Sequence, residues 1–75
     1  MQNRIELNLE VCNGKPVIRN TRIMVRNILG SLAGGDSIED TLANYPELTN
    51  EDIKAAVAYA VELVDDTQVR MKISA

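Results

Sequence analysis

The sequence predicts a mainly α domain: three helices in a helix-turn-helix-like arrangement, with a short N-terminal β-ribbon and a C-terminal stretch of strand pattern. Three observations carry that class. Apolar residues alternate with period two near the N-terminus, and from Val25 the spacing changes to that of a helix. Gly34-Gly35 and Pro46 then divide the remainder into three helical pieces.

Length and composition bound the possibilities. Seventy-five residues make one domain, laid out as strand and basic ribbon over 4–26, a tri-helical core over 25–65 and a tail or strand over 67–75. A domain this small buries only about 60% of the surface its unfolded chain exposes. One cysteine, Cys12, closes no intrachain disulfide, and without histidine a zinc site lacks its common ligands. The only aromatic residues are Tyr45 and Tyr59, so the core must come from aliphatic side chains. A thin core of this kind predicts a homodimer or higher homo-oligomer, or a bound partner. No apolar run reaches the ~20 residues of a membrane span, so the expectation is a cytoplasmic protein with no membrane association.

Residues 4–9 alternate, with Ile5, Leu7 and Leu9 on one side, which predicts a half-buried strand. Residues 68–73 alternate in the same way through Val69, Met71 and Ile73. These two segments are expected to pair with each other, across a dimer or with a partner's sheet, or else to be frayed ends. Asn13-Gly14 is a turn signal because both residues accept positive φ, and Pro16 keeps the chain extended after it. Val17, Ile18, Ile23 and Val25 flank the polar tip Arg19-Asn20-Thr21-Arg22, a pattern that suits a hairpin presenting both arginines together.

Val25, Ile28, Leu29 and Leu32 fall at i, i+3, i+4 and i+7, predicting a first helix over 25–33 that ends at Gly34-Gly35. Ser37 and Asp40 have capping-box spacing, and Ile38, Thr41, Leu42 and Tyr45 share a face, giving a second helix over 38–44. Thr49 and Asp52 repeat the capping spacing, with Leu48 and Ile53 placed as a hydrophobic staple. The third helix is predicted over 50–65, with Ile53, Ala56, Val57, Ala60, Val61 and Val64 as its inward stripe and Leu63 widening it. Ala55, Ala58 and Tyr59 broaden the apolar surface beyond what a lone domain covers, so Ala55, Ala58, Tyr59 and Glu62 are expected to contact a partner protein.

Charge divides along the chain. Residues 1–27 carry Arg4, Lys15, Arg19, Arg22 and Arg26 against Glu6 and Glu10, a net of +3. Residues 28–66 set Lys54 alone against nine acids, a net of −8. Lys15, Arg19, Arg22 and Arg26 are therefore the candidate DNA-binding residues, able to reach phosphates or base edges. The start of the third helix, Asn50-Glu51-Asp52, repels a nucleic-acid backbone, so any DNA contact falls to the ribbon. Each cation also has a bland reading: Arg22 suits an internal ion pair or cap, and Arg19 an ordinary surface contact. No catalytic residue, metal site or cofactor is expected: capping explains the carboxylates, and Gly34-Gly35 lacks the spacing and lysine of a phosphate loop.

Gly14-Lys15-Pro16-Val17-Ile18-Arg19-Asn20-Thr21-Arg22-Ile23, Ser37-Ile38-Glu39-Asp40, Tyr45-Pro46-Glu47-Leu48-Thr49 and Asp52-Ile53-Lys54-Ala55-Ala56 together resemble the domain-of-unknown-function family numbered 433. The likeness covers about residues 5 to 62. It implies a homeodomain-like three-helix fold. It also implies an antitoxin of a type II toxin-antitoxin pair, which binds and neutralises a PIN-like nuclease toxin and represses its own operon at promoter DNA. The alternative is a protein-interaction or structural homodimeric module without DNA affinity. Asn20 and Asn13 stand where the family commonly has glycine, and Met24 where it often has proline.

Overall fold

A computed structural model of the chain describes residues 3–66. Its order is β1 (Ile5–Glu6), a 3-10 turn (Cys12–Gly14), β2 (Val17–Ile18), α1 (Val25–Ala33), α2 (Ile38–Asn44) and α3 (Asn50–Asp66). The three-helix class and the N-terminal ribbon follow the sequence pattern. The proposed strand over 68–73 lies outside the described residues.

The ribbon differs from the expected one in its partner. β1 pairs antiparallel with β2, Ile5 opposite Ile18 and Glu6 opposite Val17, so the first strand finds its mate nearby in the sequence. Only Ile5 of the expected alternating face is buried. Leu7 is 60% and Leu9 83% exposed, because the chain leaves the strand at once. Asn8 accepts a hydrogen bond from the Glu10 amide through its side chain, and its carbonyl accepts one from the Val11 amide, turning the backbone there.

Cys12, Asn13 and Gly14 follow with φ of 52°, 60° and 84°. A side chain at Gly14 would put its Cβ 3.1 Å from Leu9 Cδ2, which is exposed and can shift, so it is the φ of 84° that favours glycine here. The hairpin after it closes as the sequence suggested. The Ile18 amide donates to the Ile23 carbonyl, the Val25 amide to the Pro16 carbonyl, and Val17 bridges Met24. At its tip Asn20 takes φ 68°, and Thr21 donates its hydroxyl to the Ile18 carbonyl while accepting from the Ile23 amide. Asparagine tolerates this left-handed conformation without glycine.

α1 ends in a Schellman closure: the Asp36 amide reaches the Ser31 carbonyl and the Gly35 amide the Leu32 carbonyl, with Gly35 at φ 106°. Ser37 and Asp40 form the full capping box of α2. Within α2 the fully buried side chain is Thr41, whose hydroxyl contacts the Ser37 carbonyl and Ser31 Oγ. Ile38, expected on the inner face, is 44% exposed at the first position of the helix.

The core joins Ile5 and Ile18 of the ribbon, Val25 and Ile28 of α1, and Leu48, Ile53, Ala55 and Ala56 around α3. Leu48 and Ile53 both lie in it, as a staple across the α3 start requires. The inward stripe of α3 departs from expectation. Val57, Val61 and Val64 are 41%, 54% and 68% exposed, whereas Ala55, expected at a partner surface, is buried. At 100° per residue, the side facing α1 and the ribbon is centred between Asp52 and Ala56, which turns the three valines outward.

Candidate partner-binding site

Two surfaces flank the second half of α3, a groove on the α1 side and a shallow trough lined by Val57, Ala60, Val61, Val64 and Asp65. The first is a groove of about 260 Å³ between the ribbon, α1 and α3, lined by Lys15, Pro16, Val25, Arg26, Leu29, Tyr59, Ala60 and Leu63. Its floor is apolar. Lys15 enters because it follows the 3-10 turn, and Arg26 because it is the second residue of α1, so turn and helix start set two cations at one rim. Neither side chain has a polar partner among the described residues. The space falls short of the ~300 Å³ at which small-molecule pockets begin and matches one or two protein side chains.

The four candidate DNA contacts line three different depressions. Lys15 and Arg26 line this groove, while Arg22 lines a shallow depression with Glu6, Val11, Asn20 and Thr21. Arg19 lines a third, with Asn3, Arg4 and Asp52, and its Nε donates to the Asn3 carbonyl. Arg19 and Arg22, expected together at the tip, thus line different depressions that meet at Asn20. Of the four candidate partner residues, Tyr59 is half-buried in the groove wall, Ala58 and Glu62 are exposed one turn apart, and Ala55 belongs to the core.

One polar cluster escaped the sequence reading. Arg4 Nη1 donates to Asp52 Oδ1 at 2.9 Å, and the Thr49 amide donates to Asp52 Oδ2 at 2.9 Å. Asp52 is 7% exposed, so this carboxylate caps α3 with one oxygen and ties the first strand to α3 with the other. Capping spacing located the first role; the second spans 48 residues and has no local signal. Among the described residues, no group of three His, Cys, Asp or Glu side chains is arranged to hold a metal ion. None of the described helices is long and apolar enough to cross a membrane.

These features define a small three-helix domain fronted by a two-stranded sheet. The chain belongs to the family described as "Protein of unknown function (DUF433)", whose profile matches residues 5–60. It is similar to the crystal structure of a DUF433 member protein from Anabaena variabilis, with TM-score 0.79 and 41% identity over 85% of this chain and 63% of that one. It is also similar to the "Uncharacterized protein y4eO" of Sinorhizobium fredii, 39% identical over 51 residues, which are 68% of this chain. The chain spans 23% of the length of that relative.

Proposed function

We propose that this domain is the antitoxin of a type II toxin-antitoxin pair, a non-enzymatic cytoplasmic module that holds a PIN-like nuclease toxin against the groove beside α3. The observation that carries the reading is the groove itself, where Leu29, Ala60 and Leu63 line one space together with Lys15 and Arg26. A protein segment that offers one large apolar side chain and a neighbouring carboxylate satisfies both the floor and the rim. The family resemblance supplies the partner's class.

Repression of its own operon is the second part of the proposal. Arg22 favours it: this guanidinium stands at a hairpin tip with no polar partner among the described residues. The start of α3 opposes a standard recognition-helix mode, because Glu51 is exposed and Asp52 is committed to Arg4. DNA contact therefore rests on the ribbon and is salt-dependent.

Co-expression with the product of the adjacent gene tests the first part. The two proteins are expected to co-purify, with Leu63→Asp breaking the complex and Arg22→Ala leaving it intact. A domain that purifies alone, with the neighbour's nuclease activity undiminished by its addition, overturns the reading. Promoter DNA is then expected to shift at low salt and to be released by Arg22→Ala; an unchanged shift removes the ribbon from the DNA contact.

A further inference from the structure

The outer face of α3 borders the groove at Ala60 and extends beyond it. Its apolar centre is Val57, Val61 and Val64, exposed by 41%, 54% and 68%. These residues fall at i, i+4 and i+7, the spacing of a coiled-coil seam. With Ala60 and Asp65 they line a shallow trough of about 270 Å³. Ala58, exposed beside the seam, lacks the bulk to keep a second helix at a distance.

Charge decides what lies in the trough. Along α3, Lys54 stands near one end of the seam and Asp65 at the other, both exposed and both on the Ala58 side of Val61. Eleven residues at 1.5 Å each put them roughly 16 Å apart, too far to pair within one helix. A two-fold axis crossing α3 near Ala60 sets a second α3 antiparallel to the first. It brings Lys54 of each copy level with Asp65 of the other and places Val57 of each against Val64 of the other. A parallel arrangement aligns like charges at both ends and opposes the helix dipoles less favourably.

We infer that α3 is an isologous homodimer seam: two copies of this chain associate antiparallel through Val57, Val61 and Val64, with reciprocal Lys54–Asp65 pairs fixing the orientation. A seam of three valines per copy falls short of the ~1,000 Å² that stable interfaces clear, so the dimer is weak and concentration-dependent. This inference does not rest on the toxin reading: the groove and the trough meet at Ala60, but none of the three seam valines lines the groove.

Sedimentation equilibrium of the full chain without any partner, from about 1 μM to about 1 mM, spans the range in which weak interfaces assemble. A monomer–dimer equilibrium is expected, with Val61→Asp monomeric throughout. Lys54→Glu and Asp65→Lys should each weaken the dimer about tenfold, given two exposed pairs per dimer, and the double variant should restore it. Far-UV circular dichroism checks that each variant is folded, and the charge variants alter only exposed positions. A chain that stays monomeric at the highest concentration overturns the inference. So does a dimer indifferent to Val61→Asp, or one in which the double charge reversal does not recover what the single changes lose.

Discussion

The two halves of α3 have similar compositions and opposite surroundings. In the first half Asp52, Ile53, Ala55 and Ala56 are buried against the ribbon and α1, and Thr49 and Arg4 fix the helix start from two sides. In the second half Val57, Val61, Leu63 and Val64 are 41% to 68% exposed. The difference teaches that a helix can carry apolar residues well past the point where its own domain stops covering them. The first half supplies buried core residues, and from the second half Tyr59 packs against that core.

Removing an anchor from the first half should cost most. Ile53 is 1% exposed, and Ile53→Ala is expected to lower unfolding stability by about 2–5 kcal/mol, read from urea midpoints at unchanged slope. Val61→Ala should change stability by no more than about 0.5 kcal/mol in dilute protein. Equal losses at the two positions would break the comparison.

Asp52→Ala comes next, at about 1–2 kcal/mol, because the substitution removes the cap and strands the Thr49 amide. Arg4 is half-exposed, so its share is smaller: a double-mutant cycle of Arg4→Ala with Asp52→Ala should give a coupling of about 0.5–1 kcal/mol that shrinks in high salt.

Asn20 offers a similar test within the ribbon. Asn20→Ala should cost about 1 kcal/mol because alanine disfavours φ 68° more than asparagine does, whereas Asn20→Gly should be close to neutral. The smallest expected effect is on amide exchange: residues 57–64 of α3 should exchange faster than 52–56, with the contrast reduced at concentrations where the seam assembles.

Local chemistry made much of this fold legible. α1 and α2 run over the stretches their apolar spacing predicted, because Gly34-Gly35, the Ser37–Asp40 box and Pro46 are stop and start signals that act within a few residues. The Leu48–Ile53 staple was legible for the same reason. What escaped notice depends on distance. Period two at Ile5, Leu7 and Leu9 says nothing of how long a partner strand remains alongside, and β2 offers only two residues. The stripe of α3 was assigned by spacing alone, and a helix apolar on most sides has no spacing that picks out its inner face. The groove inherits that ambiguity: Tyr59 was legible as part of a contact surface, but Lys15 and Arg26 join it through a turn and a helix start that meet only after folding.

The link from Arg4 to Asp52 has a consequence for synthesis. A chain made from its N-terminus first presents β1 and the ribbon dozens of residues before Leu48, Asp52 and Ile53 exist to seat them. During that interval Ile5 and Ile18 lack the α3 side chains that complete their burial. Once the third helix emerges, a single carboxylate both starts that helix and secures the strand that had been waiting for it.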